Sequence, residues 1–180
     1  MKRQVIIVLG TDGAGKSTLC DRLLERLPEP RNYIYFGLRE SRLGFVRKHY
    51  QKRGDMQLWA RIFMFSFDYL LRRRALPEQG YLLLDRLPGW AIVSPNPLIR
   101  WLYGYILPPC DTLILCSGEA KKIVARKPER TLEGCVKDLE KWQQVFDAYP
   151  AGKKISLNTT VNNIDTCLEL AINAVSNARP

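Results

Sequence analysis

Short apolar runs alternate with amphipathic segments along the whole chain. Five runs are candidate strands, at 5–9, 33–36, 81–85, 112–116 and 154–157. The first of them, rich in Val and Ile, has no polar position within it and stops at Gly10. A continuous apolar run of this length is typical of a strand that is buried on both faces of a parallel sheet.

The segments between these runs place apolar residues at helical spacing. They predict helices at 16–27, 98–106, 118–126, 133–148 and 162–177, with a further pair across 41–76 that breaks near Gly54. Strands that alternate with helices predict a parallel sheet covered on both faces. Because no linker or internal repeat interrupts the pattern, we expect one α/β domain over 1–180.

The composition fits a folded domain in a reducing compartment. The 180 residues are 46% hydrophobic, which is enough to fill a core. No apolar stretch is long enough to cross a membrane, and the N-terminal apolar run is too short for a signal peptide. Five cysteines without a C-x-x-C pair indicate free thiols. We therefore expect a cytoplasmic protein.

The formal net charge of +10 is large for this length. It is compatible with a well-solvated surface, a pocket for several phosphates, or attraction to nucleic acid or an anionic membrane. The positive residues are scattered, and none is interleaved with aromatics as in a base-stacking platform. We therefore do not expect nucleic acid as the partner. No lipidation motif is present.

The segment Gly10–Ser17 fits the phosphate-loop pattern G-x-x-x-x-G-K-[ST] in full, between a predicted strand and a predicted helix. Its glycines let successive N–H groups point inward, and the helix N-terminus adds partial positive charge. Lys16 should reach the β- and γ-phosphates of a nucleoside triphosphate, and the Ser17 hydroxyl should ligate Mg²⁺. The residues predicted to bind the nucleotide are Gly10, Asp12, Gly13, Ala14, Gly15, Lys16, Ser17 and Thr18.

Two further segments carry candidate catalytic residues. Asp85 ends the third apolar run, so its carboxylate should emerge at the carboxyl edge of the sheet, where it could hold Mg²⁺ through water. Arg86 would point into the same cleft and bind a phosphate. Arg126 and Arg130 flank Pro128 in a polar turn, the predicted lid segment 126–134. A mobile cationic segment can close over a γ-phosphate as an arginine finger does.

Together these segments resemble the thymidylate kinases over roughly 4–175. The aspartate at the third position of the loop, the Asp85-Arg86 pair and the lid arginines occur in that family's order. The resemblance implies a three-layer P-loop NTPase fold with five parallel strands, and ATP and Mg²⁺ as cofactors. The family commonly forms homodimers through helices beside the acceptor region, and the aromatic-rich segment 56–70 is a candidate for that interface or for the core. The resemblance also implies that the lid supplies positive charge because position 13 is glycine, and that Asp12 lies near the acceptor.

The acceptor side departs from that family's pattern. Leu38-Arg39-Glu40-Ser41-Arg42 replaces the usual segment after the second strand, and Asp85-Arg86 lacks the usual aromatic residue after it. Residues predicted to bind the acceptor are Asp12, Arg39, Arg42, Arg86 and Tyr69, and Phe65, Tyr69 or Trp90 could stack a base. The acceptor is predicted to be a small molecule, with a nucleoside monophosphate such as dTMP as the first candidate. A sugar or glycan intermediate is the alternative, and a basic nucleic-acid-binding P-loop NTPase is the alternative from another class.

Overall fold

A computed structural model describes residues 2–37, 40–41, 43–52, 58–128 and 130–178, without the side chains of 49–52 and 58–61. The strands are β1 (Gln4–Gly10), β2 (Arg31–Tyr35), β3 (Tyr81–Asp85), β4 (Cys110–Ser117) and β5 (Ala151–Asn158). The helices are α1 (Lys16–Arg26), α2 (Gly44–Lys52), α3 (Leu58–Arg74), α4 (Gly89–Ile92), α5 (Pro97–Ile106), α6 (Ala120–Arg126), α7 (Leu132–Ala148) and α8 (Ile164–Ser176).

The strands form one parallel sheet in the order β2-β3-β1-β4-β5. The register pairs Val8 with Asp85 on one side of β1 and Gly10 with Cys116 on the other. Strand β1 is therefore central, with β3 on one side and β4 on the other, and the strand order changes direction at this point. Ligands of open parallel sheets bind at the carboxyl ends of the strands around such a point, and the phosphate loop begins there.

Alternate side chains of β1 enter different cores, which makes the molecule three layers thick. Val5, Ile7 and Leu9 join the core beneath α3 and α5. Ile6 and Val8 join the core beneath α1 and α8. Helix α7 contributes to both. The predicted α/β fold, a parallel sheet with helices on both faces, is confirmed.

Several predicted boundaries differ from the observed ones. The two helices predicted within 41–76 correspond to α2 and α3, and their predicted break near Gly54 lies outside the described residues. Strand β5 has eight residues where four were predicted, because Gly152 and Lys153 before the predicted start carry no apolar signal on this exposed edge strand. The loop after β3 contains the one-turn helix α4, whose Gly89 lies close to Trp142 and Val145.

The five cysteines are free and buried, as the sequence predicted. They are Cys20, Cys110, Cys116, Cys135 and Cys167. Among the described residues, no helix combines the length and the hydropathy that crossing a bilayer would require.

Candidate active site

The loop between β1 and α1 depends on glycine for its shape. Gly10, Gly13 and Gly15 have φ values of 141°, 89° and 79°, which L side chains rarely adopt. A Cβ atom at Gly10 would also collide with the carbonyl oxygen of Cys116 on β4. The close approach of β1 to β4 and the inward turn of the loop therefore both require glycine at these positions.

Lys16 begins α1 and is buried beneath the loop, with 5% of its surface exposed. Its Nζ donates a 2.7 Å hydrogen bond to the Thr11 carbonyl and lies 3.8 Å from Asp12 Oδ1. Burial and the nearby Arg86 charge lower the pKa of Lys16. A buried ammonium at a helix N-terminus, beside a glycine-rich loop, fits a bound phosphate chain.

Asp85 ends β3 and is 2% exposed. Its Oδ2 accepts a hydrogen bond from Tyr33 Oη at 3.2 Å, whereas its buried Oδ1 has no protein partner among the described residues. Burial raises the pKa of Asp85, although the charges of Lys16 and Arg86 oppose this shift. A buried carboxylate oxygen without a partner is costly. With the exposed Ser17 hydroxyl on the same cavity wall, it provides the oxygen ligands that Mg²⁺ prefers.

Arg86 has a φ of 75°, the one positive value among the described non-glycine residues. Its guanidinium donates to Asp12 Oδ1 and lies 5.6 Å from the centre of the Tyr35 ring, while its buried Nε has no described partner. Burial alone would raise the pKa of Asp12, but Arg86 and Lys16 outweigh it and lower the pKa. Strained backbone of this kind clusters at functional sites. The strain here directs Arg86 toward the loop.

One cavity of about 730 Å³ joins these groups. Its walls include most of the predicted site residues: Asp12, Gly13, Gly15, Lys16, Ser17, Thr18, Asp85, Arg86 and Arg126. Sequence reasoning missed several further lining residues: Tyr33, Tyr35, Glu40, Lys127, Thr159 and Asn162. Most of these lie at or just beyond the carboxyl ends of β2 and β5. Position at that edge of a parallel sheet is the signal that could have identified them.

The two predicted lid arginines occupy different places. Arg126 ends α6, lines the cavity and donates a 2.9 Å hydrogen bond to the Thr159 carbonyl. Arg130 does not line the cavity, because its guanidinium donates to Thr11 Oγ1 and to Asp138 on α7. It therefore contacts the phosphate loop from the other side. The predicted position of Arg130 over the γ-phosphate is not the one seen here.

Gly13 lies where the start of the lid approaches the phosphate loop. A Cβ atom at this position would lie 3.2 Å from the Ile123 carbonyl oxygen and 3.3 Å from Lys127 Cβ. A larger residue would therefore press against α6. Glycine at 13 leaves room for Arg126 and Lys127 on the cavity wall. That the lid supplies positive charge for transfer stays a prediction.

The predicted acceptor residues are only partly in place. Arg39 and Arg42 lie outside the described residues. Tyr69 is 1% exposed and packs against Phe36 and Tyr103, with ring centres 5.2 Å and 6.1 Å apart. Tyr69 does not line the large cavity. It thus packs in the core on the hydrophobic face of α3, but together with Arg86 and Trp90 it also lines a second cavity of about 150 Å³. Its predicted contact with an acceptor therefore stays a prediction.

Arg72 has a supporting role that the sequence did not predict. It is 6% exposed, forms a salt bridge with Asp68, and donates hydrogen bonds to the carbonyls of Tyr35 and Gly37. Its guanidinium also lies 4.7 Å from the centre of the Phe36 ring. Arg72 thus fastens the end of β2 to α3. This contact helps to position Tyr35 on the cavity wall.

Sequence comparison finds no matching protein-family model and no matching curated protein. Structural comparison finds similarity to a thymidylate kinase from Candida albicans, described as having broad substrate specificity. The identity is 18%, the TM-score is 0.66, and the match covers 99% of this chain and 94% of the other.

Two further solved structures match at similar levels. A thymidylate kinase from Ehrlichia chaffeensis is 14% identical, with a TM-score of 0.65 and coverage of 96% and 98%. A deoxyadenosine kinase from M. mycoides, bound to the products dCMP and dCDP, is 14% identical, with a TM-score of 0.64 and coverage of 97% and 100%. The chain therefore has the fold of thymidylate and deoxynucleoside kinases, as its phosphate loop and its order of elements implied.

Proposed function

We propose that this protein is a kinase that transfers the terminal phosphoryl group of ATP to a small acceptor, with Mg²⁺ as its cofactor. The observation that carries the proposal is the meeting of Lys16, Asp85 and Arg86 in one cavity beside the phosphate loop. A buried ammonium, an unpaired buried carboxylate oxygen and a strained arginine backbone each lower the stability of the folded protein. Phosphoryl transfer needs all three kinds of group at one place.

The donor half of the cavity has groups for each part of a nucleotide. Inward N–H groups of the loop and the N-terminus of α1 would bind the phosphates, and Lys16 would offset the charge that develops during transfer. Ser17 and Asp85 would hold Mg²⁺, which neutralises charge on the phosphates when bound. Arg126 and Lys127 would add positive charge from α6. Thr159 and Asn162 lie at the end of the cavity near α8.

The acceptor half lies around Asp12 and Arg86. The Arg86 guanidinium can bind a phosphate, and the Asp12 carboxylate holds it in place from within the loop. Tyr33 and Tyr35 provide ring surface on the same wall. We propose a nucleoside monophosphate such as dTMP as the first acceptor to test. The two thymidylate kinases among the structurally similar proteins support this choice.

A phosphorylated sugar or glycan intermediate is the second candidate. Phe65, Tyr69 and Trp90 were the candidates for stacking a base, and all three pack together with Tyr103. Phe65 and Tyr69 are buried in the core, and Trp90 is half-buried against it. Tyr69 and Trp90 line the second cavity beside Arg86, and the volume of this cavity is only about 150 Å³. This small space suits a compact acceptor. We propose the cytoplasm, where ATP is abundant, as the compartment.

The proposal is tested by ADP release from ATP and Mg²⁺ across a panel of nucleoside monophosphates and phosphosugars. We expect acceptor-dependent release for one class, with a product that carries one more phosphate by mass spectrometry. The control is Lys16→Met, which keeps the aliphatic stem and removes the ammonium. It should lower kcat at least about a hundredfold and retain the circular dichroism spectrum. Equal turnover in the variant, or no release with any acceptor, would contradict the proposal.

A further inference from the structure

The second cavity, of about 150 Å³, lies beside Arg86. Its walls include Tyr35, Tyr69, Arg86, Trp90, Lys141 and Trp142. Tyr35 and Arg86 also line the large cavity, so the two cavities meet at these two residues. Lys16 and Asp85 line the large cavity and not the second one. The second cavity therefore adjoins the acceptor half of the site.

Helix α7 forms one wall of the second cavity through Lys141 and Trp142, two residues that no sequence motif marks. Trp142 is half-buried against the core, whereas Lys141 is exposed. Helix α4 lies so close to α7 that a Cβ atom at Gly89 would be 3.1 Å from the Trp142 ring. The indole therefore has a fixed place on the wall, whereas the flexible stem of Lys141 lets its ammonium reach a ligand.

The charges on the walls of the second cavity have one sign. The charged residues among the described wall residues are Arg86, which follows β3, and Lys141 on α7. Arg86 is paired with Asp12, yet its buried Nε has no described partner. Two cations on different elements, with no carboxylate among the described wall residues, favour a ligand with negative charge at two points.

No ion pair of Lys141 occurs in the described part of the chain. Residues three or four positions away on a helix are the usual partners of an exposed lysine. Asp138, three positions before Lys141, forms a salt bridge with Arg130 instead. The adjacent Glu140 lines a different cavity. The ammonium of Lys141 is therefore available to a ligand of the second cavity.

The size of the second cavity limits the class of ligand. A water molecule occupies about 30 Å³ in the liquid, so the cavity has room for about five. Sites for drug-sized ligands usually offer about 300–1,000 Å³. A nucleobase with its sugar needs more room than the second cavity has. A short polyol or a single small sugar needs less, and the rings of Trp90 and Trp142 provide apolar surface for its carbon skeleton.

We propose that Lys141 and Trp142 select the acceptor, and that this acceptor is a compact phosphorylated molecule with a second anionic group. Its phosphate binds Arg86, and its second anionic group, a carboxylate or a phosphate, binds Lys141. Trp142 limits the size of the carbon skeleton between them. The inference rests on the proposed kinase function and favours the non-nucleotide class of acceptor named there.

The test is isothermal titration of the full chain with two matched pairs of probes. 3-Phosphoglycerate and glycerol 3-phosphate share a carbon skeleton and differ in a carboxylate, whereas fructose 1,6-bisphosphate and fructose 6-phosphate differ in a phosphate. In at least one pair, the wild type should bind the probe with two anionic groups at least about tenfold more tightly than its partner. It should bind dTMP more weakly than that probe. The pair that shows the preference identifies the second anionic group.

Variants of α7 assign the preference to Lys141. Lys141→Met should lower the affinity for the preferred probe at least about tenfold and leave the affinity for its partner unchanged. Lys141→Arg should retain the preference. The matched control is Lys137→Ala, one turn earlier on α7, where the lysine is 71% exposed and pairs with Glu133 at 2.6 Å. This control should bind all four probes like the wild type.

The titrations are made without ATP, so their outcome does not depend on phosphoryl transfer. Absent ADP release with every acceptor would contradict the kinase function and leave this binding test intact. Equal affinities within both pairs, or no binding of any of the four probes, would overturn the inference. Tighter binding of dTMP than of both probes with two anionic groups, or equal losses in Lys141→Met and Lys137→Ala, would overturn it as well.

Discussion

At the scale of single residues, Asp12 presents an apparent contradiction, because a carboxylate stands inside a loop built for anions. The structure resolves it by pairing Asp12 with Arg86, which lies 74 positions along the chain, and with Lys16 at 3.8 Å. Both cations lower the pKa of Asp12 against the effect of burial. The residue thus holds the arginine that we assign to the acceptor.

Asp12→Asn should therefore affect the acceptor more than ATP. We expect ATP affinity within about threefold of wild type, or about 0.65 kcal/mol, because the amide keeps the size of the side chain. Acceptor kcat/KM should fall at least about tenfold, since Arg86 loses its ionic partner. Titration with a non-hydrolysable ATP analogue measures the ATP affinity, and steady-state kinetics with varied acceptor measure the acceptor kcat/KM. Loss of ATP binding with unchanged acceptor kinetics would place Asp12 in the donor site instead.

Asp85 allows a test that separates stability from activity. Its pKa is raised by burial, so the folded protein retains this proton to higher pH than the unfolded chain does. Stability contributed by the protonated form is complete below the ordinary value of 3.8 and is lost as pH rises through the raised folded value. Asp85→Asn removes that loss while keeping an acceptor for Tyr33.

We expect Asp85→Asn to match or exceed the wild-type melting temperature at neutral pH. Its advantage should shrink as the pH approaches 3.8 from above, where the wild-type carboxyl is protonated in both states. Turnover should fall at least about a hundredfold, because the amide is a poor ligand for Mg²⁺. Thermal unfolding across this pH range and ADP release provide the two measurements. A variant that is less stable yet fully active would contradict the assignment.

At the scale of elements, the turn between α6 and α7 approaches the phosphate loop from two sides. Arg126 lines the cavity, whereas Arg130 is tied to Thr11 and Asp138. Both contacts depend on the close packing of α6 at Gly13. The turn can therefore influence transfer directly through Arg126 and indirectly through the shape of the loop.

Arg126→Ala and Arg130→Ala should each lower kcat more than they raise the KM for ATP, because this charge is needed mainly in the transition state. We expect at least about a tenfold loss of kcat for Arg126→Ala. Asp138→Ala should reproduce the Arg130→Ala effect, since Asp138 holds that guanidinium. Lys122→Ala, on the exposed side of α6 with 55% of its side chain accessible, is the matched control. Unchanged kcat in both arginine variants would remove the turn from the mechanism.

At the scale of the whole molecule, the five cysteines report on the cooperativity of both core layers. All five are buried and free. Burial raises the pKa of Cys116 to about 12 and also raises the pKa of the other four thiols. Since the thiolate is the reactive form, the native protein should be nearly inert to Ellman's reagent.

We expect five thiols to react in guanidinium chloride and almost none in buffer at neutral pH, with native labelling limited by unfolding. Cys110 starts β4 on one face and Cys167 lies on α8 on the other, so mass spectrometry of partly labelled protein can follow both layers. Equal labelling rates for the two would indicate one cooperative unit. Fast labelling of either thiol under native conditions would contradict the packing described here.

The sequence by itself determined the features that are local in the chain. An unbroken apolar run, a glycine-rich loop and a helix with Lys16 at its start follow one another directly, so their geometry depends on neighbouring residues. The alternation of runs and amphipathic segments likewise predicted the parallel sheet, and Asp85 was placed at its edge by ending an apolar run. These properties need no knowledge of distant contacts.

The tertiary structure decided whatever depends on partners far along the chain. Arg130 forms a salt bridge with Asp138 and does not line the cavity. Tyr69 packs against Phe36 and Tyr103. The sequence alone did not indicate these partners of Arg130 and Tyr69. Strand β5 begins before its predicted start and includes Gly152 and Lys153, because pairing with β4 and not the apolar pattern defines the strand. The salt bridge between Arg86 and Asp12 also forms only when β3 lies beside β1. Local pattern fixes the direction of a side chain along its own element, whereas its partner depends on which elements pack together.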